Sequence, residues 1–180
     1  MEYYKNTMLI SPRRVKESGE LNVNVDDVKI GASIRTAQNI YLRDVIGEEL
    51  LDKLKLLVYN KIENKEGDKI NDEGMVAYAT FLYNYLSDAI MWKAIIDLCM
   101  RTSFKVRNMG VVQNSDTNAS ASNIDDIKYY QNYLETMYND CLNRIAEFLC
   151  ENKEAIPESK FDCGCKPTKK FANVNLYLGD

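Results

Sequence analysis

Residues 75–100, "MVAYATFLYNYLSDAIMWKAIIDLCM", decide the fold. Twenty of these residues are apolar when tyrosine is counted, so polar side chains cannot form a full face of a helix. A helix of this kind must be surrounded by other elements. Its polar interruptions are Asn84, Ser87, Asp88, Lys93 and Asp97. Charges at these spacings argue against a membrane span, so we predict a buried central helix and no membrane partner.

Two amphipathic helices are predicted before the central one. In the first, apolar residues recur at steps of three and four: Ile30, Ile34, Ala37, Tyr41 and Val45. Asn24 or Asp26 can cap its start, and Gly47 fits the position just past its end. The second helix covers residues 48–62. Its apolar side is leucine-rich, and its predicted water-facing residues are Glu48, Asp52, Lys53 and Lys55.

A fourth helix is predicted over residues 123–152. Its apolar stripe repeats every seven residues: Ile127, Leu134, Cys141 and Phe148. Thirty residues make a rod about 45 Å long at 1.5 Å per residue. The chain is therefore predicted to be mainly α, with a bundle of about four helices over residues 25–156.

Three segments are predicted to lie outside the helices. Residues 1–24 read as an irregular, extended N-terminal arm, because Ser11-Pro12 starts a turn and Gly19 breaks any continuation. Residues 106–122 form a long interhelical loop that opens on a small apolar plug. Residues 157–180 form an extended tail in which alternate residues are apolar, as in a short, half-buried β-strand.

The plug and the tail supply the predicted contacts with a neighbouring subunit or another partner. Apolar segments on tethers are suited to docking on a second surface. In the plug, the contact residues are Met109, Gly110, Val111 and Val112. In the tail, they are Phe171, Val174, Leu176, Tyr177 and Leu178.

Composition limits the chemistry of this chain of 180 residues, which is 46% hydrophobic and has a net charge of −4. It contains no histidine, which removes a Ser-His-Asp or Cys-His arrangement within one chain. Cys163 and Cys165 are weak candidates for a metal site, because one C-x-C pair falls short of four ligands. Copies that pool their ligands leave an intersubunit site open. We predict no cofactor and no catalytic residue.

Other clusters have ordinary explanations. Four pairs of carboxylates lie at predicted helix starts, where the helix dipole stabilises negative charge: Asp26-Asp27, Glu48-Glu49, Asp72-Glu73 and Asp125-Asp126. Two basic clusters serve either solubility or contact with phosphate or an acidic partner: Arg13, Arg14 and Lys16, and Lys166, Lys169 and Lys170. Twelve tyrosines exceed the needs of a core and suit subunit contact.

The order of these features resembles a known family. It runs from "ASIRTAQNIYLRDVIGEELLDKL" (residues 32–54) through a buried helix to "NMGVV" (residues 108–112). A long Tyr-rich helix then ends in "LCENKEAIPE" (residues 149–158). This order resembles the head-to-tail connector proteins of tailed bacteriophages, also called adaptor or neck ring proteins. It looks most like the versions in crAss-like phages and related Bacteroides elements.

The resemblance implies a structural virion protein rather than an enzyme. Connector proteins of this kind assemble as a ring, often of twelve copies, beneath the portal protein. The ring extends the DNA channel and docks the next neck or tail component. The implied location is the phage neck, with the host cytoplasm during assembly. Double-stranded DNA would pass through the lumen, although this chain lacks an obvious basic helix to face it. The alternatives are a small metal-dependent or thiol-using enzyme and a monomeric regulatory binding protein.

Overall fold

The computed structural model describes residues 3–21, 24–63, 73–107, 110–113 and 124–161. These residues are mainly helical, which confirms the predicted fold class. The α-helices are α1 (Pro12–Lys16), α2 (Asp27–Thr36), α3 (Arg43–Ile46), α4 (Glu48–Glu63), α5 (Glu73–Phe81), α6 (Ser87–Ser103) and α7 (Ile124–Glu151). A 3-10 turn covers Tyr3–Asn6, and the strands are β1 (Phe104–Arg107) and β2 (Gly110–Gln113).

Two π-helical segments join pairs of α-helices into longer rods. Ala37–Leu42 connects α2 to α3, and Leu82–Leu86 connects α5 to α6. The four predicted helices therefore correspond to α2–α3, α4, α5–α6 and α7. Both predicted end signals of the first rod are present. The Asp26 carboxylate accepts a hydrogen bond from the Val28 N–H at 2.9 Å, and Gly47 ends α3 with a φ of +89°.

The rod α5–α6 is central, as the sequence predicts. Its fully buried large side chains are Phe81, Leu86, Ile90, Ile95 and Leu98. Helix α6 packs against both α2 and α7. Arg101 contacts Thr36 at the end of α2, and Lys93 contacts Tyr41 in the π-helical segment that follows. Two contacts show that α7 runs antiparallel to the rod α5–α6: Lys93 with Glu135, and Tyr85 with Phe148.

The N-terminal segment packs against the bundle, which corrects the prediction of an extended arm. Leu9, Ile10 and Val15 are buried in the common core. Gln38, which is fully buried in the first π-helical segment, donates to the Thr7 carbonyl at 2.9 Å and accepts from the Leu9 N–H at 3.1 Å. A buried amide gains these bonds only if the segment is docked, because leaving its polar atoms unpaired is costly.

The interhelical loop predicted from residue 106 begins instead with a β-hairpin. Strands β1 and β2 are antiparallel, with Phe104 opposite Gln113 and Arg107 opposite Gly110. Val106, Val111 and Val112 are β-branched, and such residues favour a strand over a loop. The polar run that follows lies outside the described residues.

One further side chain corrects the sequence prediction. Lys55, expected to face water, is 5% exposed on α4, which packs against the turn Tyr3–Asn6. Burial lowers the pKa of Lys55 below its ordinary value. None of the helices in the described residues is both long enough and apolar enough to span a membrane.

Candidate functional site

The C-terminal segment after α7 is fastened to two other helices. The Glu158 carboxylate accepts hydrogen bonds from Lys53 Nζ on α4 and from the Tyr78 hydroxyl on α5, both at 2.5 Å. Lys53 Nζ also lies 4.7 Å from the centroid of the Tyr78 ring. We call these three residues the Glu158 clasp. Ile156, two residues earlier, is 0% exposed, so the segment is held by both apolar and polar contacts.

The clasp shifts the pKa of each member. Burial alone would raise the pKa of Glu158, but the hydrogen bonds from Lys53 and Tyr78 bring it below its ordinary value. The hydrogen bond to Glu158 raises the pKa of Lys53. Burial, followed by the bond to Glu158, raises the pKa of Tyr78. When the pKa of a carboxyl is lower in the folded state than in the unfolded state, its ionised form stabilises the fold at pH values above the unfolded-state pKa. This stability is lost as the pH falls through the folded-state pKa.

We expect Glu158→Gln to lower the free energy of unfolding by about 0.5–1 kcal/mol near neutral pH, because the ion pair is partly exposed. The difference from the wild type should shrink towards zero at acid pH, below the lowered pKa of Glu158, where both proteins lack the charge. Urea unfolding at the two pH values measures this. Glu154→Gln, at an exposed position nearby, is the matched control and should behave as the wild type at both. An unchanged difference at low pH would contradict the clasp.

The next residues, Lys160 and Phe161, also lie against the bundle. A Cβ atom placed on Gly47 would lie 2.9 Å from Lys160 Cγ, so Lys160 covers the α3–α4 junction. Gly47 has a positive φ, and the Lys160 side chain lies where a Cβ atom would be placed. Both features favour glycine. Phe161 is partly buried against the core. The described part of the C-terminal segment therefore ends at a defined place, beside Gly47.

The other end of the bundle is aromatic and exposed. It comprises the last turn of α6, the hairpin and the start of α7. Three of its apolar side chains lie open to solvent: Tyr129 is 79% exposed, Tyr133 45% and Met100 46%. The rings of Tyr130 and Tyr133 stack with centroids 6.4 Å apart. Tyrosine combines apolar area with a hydroxyl, so this aromatic end is suited to a contact that forms only on assembly.

Tyr130 ties the aromatic end to the N-terminal segment. Its hydroxyl donates to Glu20 Oε2 at 2.6 Å. Burial, followed by this hydrogen bond, raises the pKa of Tyr130, so the hydroxyl stays protonated at neutral pH. Tyr138, two turns further along, is buried and belongs to the core. The described tyrosines are thus divided between packing and exposed surface, and subunit contact by the exposed ones stays a prediction.

Lys93 fills an aromatic cage at the crossing of three helices. Its Nζ lies 4.4 Å from the Tyr41 ring centroid, 4.9 Å from that of Tyr138 and 3.2 Å from Glu135 Oε1. The residue is 9% exposed. A cation over two ring faces with a carboxylate beside it is well compensated, so Lys93 links the first π-helical segment, α6 and α7 without an unpaired charge.

Because the ion pair and its desolvation offset one another, we expect Lys93→Met to change the free energy of unfolding by less than about 1 kcal/mol. Lys93→Ala should cost about 2 kcal/mol, because the methylene groups packed between the rings are lost. Chemical denaturation of both variants measures this. Equal losses in the two variants would show that the charge, not the packed stem, matters.

The predicted contact residues are only partly within the described residues. Gly110, Val111 and Val112 form most of β2 at the aromatic end. The others lie outside the described residues: Met109, Phe171, Val174, Leu176, Tyr177 and Leu178.

Residues 42–169 match a family described as "Family of unknown function (DUF6712)". The chain belongs to this family. The match runs from the end of the first π-helical segment through the hairpin and α7 and past the Glu158 clasp, so it includes both ends of the bundle. A search of curated proteins and a search of solved structures each gave no match.

In this DUF6712 chain the first basic cluster is neutralised by acidic partners. The pairs are Arg13 with Glu17 at 2.8 Å, Arg14 with Asp88 at 2.9 Å and Lys16 with Asp27 at 2.7 Å. Each cation forms an ion pair with a carboxylate of its own chain, which does not favour a phosphate-binding role for this cluster. The second cluster, Lys166, Lys169 and Lys170, lies outside the described residues.

Burial accounts for the described cysteines, and positions at helix starts account for the described carboxylate pairs. Burial raises the pKa of Cys99, and it raises that of Cys141 to about 11, so both are protonated at neutral pH. Asp26 caps α2, and Glu48 and Glu49 lie in the first turn of α4. Within the described part of the chain, no group of three or more cysteine or acidic residues could hold a metal ion. Cys163 and Cys165 lie outside that part.

Proposed function

We propose that this DUF6712 protein is a structural virion subunit that forms an oligomeric ring between the portal and the tail of a tailed bacteriophage. In that role the ring extends the DNA channel and docks the next neck or tail component. One observation supports the proposal beyond the family resemblance. The hairpin with the aromatic end and the segment held by the Glu158 clasp lie towards opposite ends of α7. Its 28 residues span about 42 Å.

A ring subunit in a stack needs this arrangement. It must contact its two neighbours in the ring and also one component above and one below. A bundle whose core is closed by its own helices stays folded before assembly, and segments that leave at opposite ends can then bind different neighbours. A head-to-tail interface repeated around a closed circle satisfies every copy equally.

The clasp also makes assembly less costly. Ordering a free segment costs about 1–2 kcal/mol for each backbone residue fixed. Because Ile156, Glu158 and Phe161 already hold their part of the chain on the bundle, a partner does not have to order that part.

The thiol-using alternative gains no support from the described cysteines. The thiolate is the reactive form, and the pKa values of Cys99 and Cys141 are raised rather than lowered. No observation on the described residues favours a regulatory binding protein over a ring subunit.

Mass measurement on size-exclusion chromatography tests the proposal. The purified protein, of 20.7 kDa, should elute as a monomer or a small oligomer by itself. It should form a closed ring when the portal protein encoded by the same genome is added. A protein that stays monomeric with and without portal protein, at concentrations well above those in an infected cell, would contradict the ring.

A further inference from the structure

The β-hairpin has outer edges without a backbone partner in the described residues. Within the described ranges, its sheet contains two strands, and β1 and β2 pair only with each other. A two-stranded hairpin by itself is marginally stable in water, and an additional strand stabilises it. An unpaired edge of this kind is a template for an extended segment.

Sequence distinguishes the two edges. Strand β1 carries Lys105 and Arg107, and charged residues on an edge discourage pairing. Strand β2 has the sequence Gly-Val-Val-Gln and no charge. A strand that arrives with positive charges of its own will therefore favour β2.

The register shows which backbone groups the β2 edge offers. Two residues separate Arg107 from Gly110, so this closing pair exchanges hydrogen bonds across the turn. Paired residues in an antiparallel ladder alternate between hydrogen-bonded and non-hydrogen-bonded pairs. Val112 therefore bonds to β1, whereas the N–H groups of Val111 and Gln113 point outwards.

The chain itself supplies a matching strand. Residues 171–178, Phe-Ala-Asn-Val-Asn-Leu-Tyr-Leu, place apolar side chains at every second position, as a strand with one buried face requires. They follow Lys166, Lys169 and Lys170, whose charges suit the exposed Asp125 at the start of α7. We propose that residues 171–178 of one copy add to the outer edge of β2 of a second copy as a third strand, an inference that rests on the proposed ring.

Distance favours a second copy over the same chain. The last described residues lie beside Gly47, towards the far end of α7 from the hairpin. From there, the ten residues up to Phe171 span at most about 35 Å when fully stretched. That span is less than the length of α7, so Phe171 cannot be carried along the whole length of its own bundle. A neighbour in a ring can bring its hairpin closer.

A peptide binding experiment tests the edge directly. The probe is a fluorescein-labelled peptide with the sequence of residues 166–180, titrated by anisotropy into the full chain carrying Leu176→Pro, which removes its own competing strand. We expect saturable binding. Adding Val111→Pro, which removes an outward N–H and leaves the β1–β2 ladder intact, should weaken binding by about tenfold or more. Val111→Thr keeps that N–H and should bind as the parent does.

Two further measurements make the outcome decisive. Gln113→Pro removes the second outward N–H and should weaken binding in the same way, so the result does not depend on one variant's folding. Circular dichroism of each variant reports the helical bundle. The edge proposal is overturned if the peptide fails to bind the Leu176→Pro protein, or binds the proline and threonine variants equally. If rings still form with portal protein in that case, the proposed function stands and only the strand pairing is wrong.

Discussion

Replacing Val111 and Val112 together by aspartate is expected to abolish ring assembly and leave the monomer folded. Both residues lie in β2, the second strand of the hairpin that follows the end of α6. A neighbour that packs on this strand would have to bury two carboxylates without partners, which is strongly unfavourable. On the proposed interface both side chains face a neighbour, so the free energy of unfolding should change by less than about 1 kcal/mol, as for substitutions away from the core.

Size-exclusion chromatography with mass measurement, in the presence of portal protein, reports the assembly, and urea unfolding reports the monomer. The double threonine variant, Val111→Thr with Val112→Thr, is the matched control, because it keeps the shape and strand preference without the charge. It should retain most of the ring. A double aspartate variant that unfolds outright would show that β2 belongs to its own core, and one that assembles normally would remove β2 from the interface.

Ile156→Ala carries the largest expected loss of stability, about 2–5 kcal/mol, because the side chain is fully buried where the C-terminal segment meets the bundle. The loss should also free the clasp, since Glu158 is held in place two residues away. Urea unfolding measures the free energy, and amide hydrogen exchange of residues 157–161 measures the release.

Ile156→Val is the control for this prediction and should cost about 0.5–1.5 kcal/mol without releasing the segment. If Ile156→Ala costs less than the valine variant, or leaves hydrogen exchange at residues 157–161 unchanged, the segment is not anchored by this side chain. Ring assembly would then not depend on a fixed starting point for the tail.

Local signals predicted the helical part of the fold well. Periodic apolar residues in the first rod, the carboxylate cap at Asp26 and the stop at Gly47 all depend on neighbours within one or two turns. Such signals are present in the sequence itself. The heptad stripe of α7 was equally visible, because Leu134 and Cys141 both face the core.

Contacts between distant parts of the chain had no such signal. Leu9 and Ile10 form an apolar run too short to show a period, and their docking depends on Gln38, 29 residues beyond Leu9. Glu158 meets Tyr78 and Lys53 across 80 and 105 residues. The exposure of Lys55 was predicted wrongly for the same reason, since the segment that packs on α4 comes from the N-terminus.

A cryo-EM map of the particle neck, at a resolution that traces the chain from residue 157 onwards, tests the ring most directly. We predict a closed ring of this protein against the portal, with a mass near twelve times the 20.7 kDa of one chain. In it, the β2 hairpin of each subunit should contact an adjoining subunit. A neck in which this protein is absent, or is bound as isolated copies with hairpin and tail folded onto their own bundle, would contradict the account.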